Sequence, residues 1–272
     1  MPRVASVERI ELHGSALPGL RVMRADSDRS FPRHAHDVYG VGVVDRGGQR
    51  SLSGRGHVEA LSGDVITVNP GEVHDGTALA GTLRAWRMLY IEPALLAGDE
   101  GAPEFARAAL RDEALRRRFD GLFAAVLAGA DALALEAGLV LLRYQVPVAA
   151  GEAGGHGARA ERAPGLPRAL LARVRERLAD DCAQAPGLAE LAREAGLSRY
   201  QLLRGFSARY GLPPHAWLLQ SRLARARRAI EAGEALAAAA TVAGFADQSH
   251  MTRAFRRSWG FTPGAYAAAC GG

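Results

Sequence analysis

Short apolar runs separated by turn signals dominate the first third of the chain. Residues 38–44 form one such run before Arg46-Gly47-Gly48, and residues 65–68 form another before Asn69-Pro70-Gly71. Runs of this length bounded by Gly, Pro and Asn predict antiparallel β structure over residues 20–92. The period then changes. Leu115, Phe119, Leu122, Phe123 and Val126 fall at helical spacing, so residues 104–145 read as helices. Residues 151–167 have no apolar period and are rich in Gly, Ala and Pro, which predicts a flexible linker. Beyond it the pattern stays helical. The fold class expected is α+β with two domains, residues 1–150 and residues 168–272, joined by 151–167.

The helical part repeats itself. Tyr210-Gly211, Pro214 and Ala216-Trp217 match Trp259-Gly260, Pro263 and Ala265-Tyr266 at an offset of 49 residues. The same offset relates Ser198 to Asp247, Leu202 to Met251, Arg204 to Arg253 and Phe206 to Phe255. Self-similarity on this scale marks a duplicated supersecondary unit. Each copy has the layout of a helix-turn-helix. Small residues, Ala192 and Ala240, stand where two helices must cross closely. Gly196 and Gly244 permit a tight turn. Ser198 and Asp247 can N-cap the second helix. The first unit is expected over about 188–210 and the second over about 236–259. A linking helix over about 214–232 carries Leu219, Leu223, Ala226 and Ile230 on one face, and Gly233 can end it.

Charge sharpens this picture. All 34 basic residues are arginine. Residues 1–155 carry 17 Arg and 20 acidic residues, whereas residues 156–272 carry 17 Arg and 9 acidic residues. A cationic half suits a nucleic-acid partner. Arginine can donate bidentately to guanine and glutamine to adenine, while Ser and Thr serve bases or phosphates. Arg204 and Arg253 are the leading base readers, at equivalent places in the two copies. Gln248 and Thr252 lie on the same exposed face as Arg253. Arg199, Arg209, Arg256 and Arg257 are candidate phosphate contacts, which set register without reading sequence.

Other classes find little support. The start of the chain lacks an apolar run behind a basic segment, and the most apolar stretch, 122–142, contains Asp131 and Glu136. No membrane association is expected, and the localisation expected is cytoplasmic. Cys182 and Cys270 offer neither a disulfide framework nor a metal spacing.

The motif Gly244-Phe245-Ala-Asp-Gln-Ser-His-Met-Thr-Arg-Ala-Phe255, followed by Gly260-Phe-Thr-Pro-Gly-Ala-Tyr266, resembles the AraC family of bacterial transcription regulators. Ala192-x3-Gly196-x-Ser198 and Arg222-Leu223-x2-Ala226 add to the resemblance, which covers about residues 168–268. It implies two helix-turn-helix subdomains joined by a helix. It also implies base contacts by Tyr200, Gln201 and Arg204 in the first reader, and by Ser249, His250 and Arg253 in the second. The chain departs from the family pattern at Gly205, inside the first recognition helix, and at Ala239, Met251 and Ala267.

Residues 31–40 and 63–74 resemble the two motifs of the cupin-like sensor domain of such regulators. That resemblance implies a small β-barrel that holds an effector, followed by helices that mediate dimerisation. His34, His36, Tyr39, Glu72 and His74 are the pocket candidates. His34, His36 and His74 could also hold a transition metal. Metal-binding cupins place a Glu about four residues after the second His, where this chain has Gly40 and Val41. An organic effector is therefore favoured, with no metal or other cofactor and no catalytic residue assigned. Trp86 and Tyr90 are read as core. The function expected is a sequence-specific, effector-responsive DNA-binding regulator. Its partners would be double-stranded DNA and a small molecule, with a second copy and RNA polymerase as further candidates. The alternative is a cupin-type metal-dependent enzyme with a basic helical tail.

Overall fold

Strand β9 shows how the N-terminal half is layered, because its two faces are chemically different. In the computed structural model, which describes residues 8–79, 83–97, 101–148 and 166–271, the chain forms two units. One contains most of residues 8–148 and the other most of residues 166–267. The strands of the first unit are β1 (Glu8–His13), β2 (Leu20–Ser27), β3 (Phe31–His34), β4 (Tyr39–Arg46), β5 (Gly48–Ser53), β6 (Gly56–Leu61), β7 (Val65–Val68), β8 (His74–Ala78), β9 (Arg84–Ile91) and β10 (Ala109–Leu110). They form two sheets, ordered β1-β2-β9-β4-β7-β10 and β3-β8-β5-β6. The expected β-rich domain is present, but its described strands pair as two sheets and do not close into one barrel.

On one face of β9, Leu89 and Ile91 join Val22, Val41 and Val43 of neighbouring strands in a core. The helices α2 (Glu113–Leu127) and α3 (Ala132–Gln145), which follow the short α1 (Pro93–Leu96), close that core with Phe119, Phe123, Leu135 and Leu139. Full burial of each such side chain is worth about 1.5–3 kcal/mol. On the opposite face, Trp86 meets Phe31 of β3 edge-on at 6.0 Å, and Arg84 reaches Gln49 of β5 and Gly76 of β8.

The helical reading of 104–145 starts too early. Ala109 and Leu110 pair with Ile66 and Val65 of β7, and Phe105 bridges to Val148. The helix begins only after Asp112, whose carboxylate accepts from the Leu115 N–H at 2.9 Å. That cap satisfies a backbone donor of the first turn and so fixes where the helix can start. Asp131 does the same for α3 through the Ala134 N–H.

The second unit is helical: α4 (Arg168–Asp180), a 3-10 turn (Cys182–Gln184), α5 (Leu188–Glu194), α6 (Arg199–Tyr210), α7 (Pro214–Glu231), α8 (Leu236–Val242), α9 (Gln248–Trp259) and α10 (Pro263–Cys270). Leu171, Val174, Leu178, Leu191, Ala192, Leu202 and Phe206 form the core of its first half. Leu223, Ala226 and Ile230 of α7 are buried and Leu219 half-buried, along the face that the helical period picks out. The linker expected over 151–167 lies, up to residue 165, outside the described residues. None of the described helices is long and apolar enough to cross a membrane.

Candidate nucleic-acid interface and effector pocket

Two short helix pairs, α5–α6 and α8–α9, carry the candidate DNA-reading residues. In each pair the first helix ends where glycine turns the chain: Gly196 has φ +64° and Gly244 φ +83°, values that L side chains rarely adopt. The second helix then starts on a side-chain cap. Ser198 accepts from the Gln201 N–H and Gln201 returns a bond to the Ser198 N–H, a reciprocal capping box. Asp247 accepts from the His250 N–H at 2.6 Å. Each second helix ends on a left-handed glycine, Gly211 or Gly260. The repeat is thus structural as well as sequential.

Leu202 and Phe206 are buried in α6, as are Met251 and Phe255 in α9. Tyr200, Gln201 and Arg204 are exposed, as are Gln248, Ser249 and Arg253. Arg199, Arg256 and Arg257 are exposed too, while Arg209 is half-buried with its guanidinium 5.7 Å from the Tyr210 ring. Three candidates are more constrained than the sequence suggests. The Gln201 carbonyl oxygen is engaged in the capping box. The Thr252 hydroxyl donates to the Gln248 carbonyl. His250 is half-buried with its ring edge-on to Phe245.

Gly205 has a packing reason that sequence alone hides. A Cβ there would lie 2.4 Å from Leu166 Cδ1. The missing side chain lets Leu166 seat on α6, which offsets glycine's helix cost of about 1 kcal/mol. Ala239 and Met251 are fully buried, so both departures from the family pattern are packed positions.

His34, at the end of β3, is buried. The His36 and His74 rings lie 5.3 Å apart, and His36 is 5.7 Å from the Tyr90 ring. Tyr90, read as core from sequence, therefore borders this pair of rings. His74 Nδ1 faces the Glu72 carbonyl at 3.0 Å. A carbonyl can only accept, so Nδ1 carries the proton and the neutral ring's lone pair sits on Nε2. Burial holds the His74 pKa below the ordinary histidine value, favouring that neutral form.

The other two pocket candidates are committed elsewhere. The Tyr39 hydroxyl donates to the Pro103 carbonyl at 2.5 Å, and its ring packs 5.0 Å from Phe105. Burial raises its pKa. Glu72 is gripped by Arg55, which the sequence reading missed: Nε and Nη2 donate to the two carboxylate oxygens at 2.8 and 2.6 Å. Burial by itself would raise the Glu72 pKa, but the hydrogen bonds and charge of Arg55 overcome it and hold the carboxyl below its usual value.

Comparison with known proteins agrees with this division. Residues 17–142 match the family model described as an AraC-like ligand binding domain, and residues 191–269 match one described as a helix-turn-helix domain. The uncharacterized HTH-type transcriptional regulator YbfI of Bacillus subtilis is 27% identical over 236 residues, covering 82% of each chain. The transcriptional activator NphR of a Rhodococcus species is 39% identical over 80 residues, 29% of this chain and 24% of that protein. The structure of unsaturated fatty acid bound ToxT from Vibrio cholerae superposes with a TM-score of 0.51 at 12% identity, over 98% of this chain and 96% of that one. Both halves match, in this order: an AraC-like ligand binding domain followed by a helix-turn-helix domain, the make-up of a DNA-binding transcription regulator with a ligand-binding domain.

Proposed function

We propose that this regulator reads a specific operator with α6 and α9, and that a small molecule held in the N-terminal domain controls it. Tyr200, Gln201 and Arg204 would face bases in one major groove, and Gln248, Ser249, His250, Thr252 and Arg253 in the next. Arg199, Arg209, Arg256 and Arg257 would bind phosphates. The observation that carries this reading is the matched exposure of Arg204 and Arg253 on two helices built and capped alike. Such a protein would work in the cytoplasm, with residues 151–167 linking its sensing and reading parts.

The test is selection of bound sequences from a random duplex pool. Arg253→Ala should weaken binding to the selected site by about 1–3 kcal/mol and relax the choice at one base pair. An unchanged base preference would remove Arg253 from the reading set.

For the effector, the neighbouring rings of His36 and His74 support a polar recognition point, with His34 as a further candidate, while Tyr39 and Glu72 serve as its structural support. The same pair of imidazoles, both potential metal ligands, is the one observation that favours the metal-dependent enzyme reading. Metal content of the purified protein separates the two, since stoichiometric metal together with turnover would favour the enzyme.

A second copy of the chain is the further partner we propose. α3 buries Leu135, Leu139 and Leu142 on one side yet exposes Leu133, Val140 and Tyr144 along another. An apolar stripe at helical spacing suits a partner helix. Sedimentation should show a dimer that Leu133→Glu with Tyr144→Glu converts to monomer; an unshifted profile rejects this surface.

A further inference from the structure

Arg84 opens strand β9 and is 1% exposed, among the most completely buried large side chains of the protein. Its guanidinium meets only neutral acceptors: the Gln49 side-chain oxygen at 3.0 Å, the Arg29 carbonyl at 3.0 Å and the Gly76 carbonyl at 3.3 Å. Its Nε has no hydrogen-bond partner, and among the described residues no carboxylate pairs with it. Aromatic rings flank it, Trp86 at 4.7 Å and Phe31 at 5.8 Å. Burial without a counter-ion lowers its pKa to about 10, so it remains a cation at neutral pH.

Isolated buried charges are strongly disfavoured, and proteins ordinarily pair them. Arg55 in the same domain is buried with Glu72, and Arg87, on the other face of β9, has both Asp45 and Asp120. Arg84 is the exception, and its strand neighbours are unusual too. Successive residues of β9 alternate between faces. The face carrying Leu89 and Ile91 builds the aliphatic core, whereas the Arg84 face presents Trp86, Met88 and Tyr90. Opposite Met88 on β4 stands Gly42, and with Gly40 its missing side chain leaves room that the thioether fills beside Ile66 and Val68. Methionine adapts readily to a new neighbour. A fixed cation beside an indole and a deformable apolar wall is the recognition chemistry of an organic acid.

We propose that the effector is an organic carboxylate whose charge is met by Arg84 and whose apolar body lies along Trp86 and Met88 between the two sheets. This rests on the effector reading above and narrows it to anions.

The test is thermal unfolding of the full-length protein with straight-chain and aromatic monocarboxylates, each paired with its neutral amide. The saturating carboxylate of best fit should raise the N-terminal melting temperature by about 5 °C and its amide should not. Arg84→Met should melt no lower than the parent without ligand, because an unpaired buried charge is removed, and should lose the carboxylate response. Arg84→Lys keeps the charge and should retain part of the response, which covers the case in which Arg84→Met does not fold. Equal stabilisation by acid and amide would overturn the proposal while leaving an effector pocket standing. No stabilisation by any acid, or a carboxylate response left undiminished by Arg84→Met or wholly lost in a folded Arg84→Lys, would sink the proposal.

Discussion

Replacing Arg55 with alanine destabilises the N-terminal domain by about 3–5 kcal/mol, because it strands a buried carboxylate. Arg55 does more than neutralise Glu72. Nη1 donates to Thr67 Oγ1 and to the Phe105 carbonyl, each at 3.1 Å, and Nη2 donates to the Thr67 carbonyl at 2.6 Å. Glu72 also accepts from the Asn69 N–H at 3.0 Å, and Asn69 bonds the Phe105 backbone in both directions. One guanidinium thus joins the β5–β6 turn, the turn leading to β8 and the segment before β10. The loss should be seen in urea unfolding, with faster amide exchange across residues 67–78. Adding Glu72→Gln to Arg55→Ala should restore more than half of it, since the stranded charge is then gone. A single variant within about 1 kcal/mol of the parent would show that water reaches Glu72 and that the pair is not buried in effect.

This clamp also marks the limit of what the chain's sequence discloses. The recognition helices are legible because their information is local: a cap, a turn glycine, and apolar residues at helical spacing, written twice. Leu202, Phe206, Met251 and Phe255 are buried where that period puts them. The pocket is different. Glu72 reads as a pocket acid because it sits in a motif beside His74, yet its partner lies 17 residues away in a hairpin turn with no periodic signal. Tyr39 is withdrawn by the carbonyl of Pro103, 64 residues on. Tyr90 looks like core because an aromatic in an apolar strand normally is, and only the pairing of β9 with β4 brings it to His36. The early helix at 104–110 fails for the same reason, since pairing with β7 is a tertiary contact that overrides local pattern. Long-range pairing of side chains is the part of the fold that one sequence does not spell out.

The two turn glycines of the readers provide a matched pair with unequal outcomes. Gly196→Ala should cost about 1–2 kcal/mol, the usual penalty for a Cβ in left-handed backbone, because nothing lies within 4 Å of the new atom. Gly244→Ala bears the same backbone penalty and a collision. Its Cβ would stand 2.5 Å from Ala183 Cα, 2.7 Å from the Ala183 oxygen and 2.9 Å from its carbonyl carbon, all backbone atoms that cannot swing aside. Overpacking adds about 1–3 kcal/mol, so the total should reach about 2–5 kcal/mol. Urea unfolding followed by the fluorescence of Trp217 and Trp259 measures both variants, and equal costs would refute the steric account. The difference matters for reading DNA. Ala183 lies in the 3-10 turn between α4 and α5, and Arg222 of the linking helix donates to the neighbouring Cys182 carbonyl at 2.7 Å. The turn of the second reader therefore rests on the lead-in to the first, and both are tied to α7. Two helix pairs braced this way hold Arg204 and Arg253 at a fixed separation, which the proposed operator reading requires if one base pair inserted between half-sites is to abolish recognition.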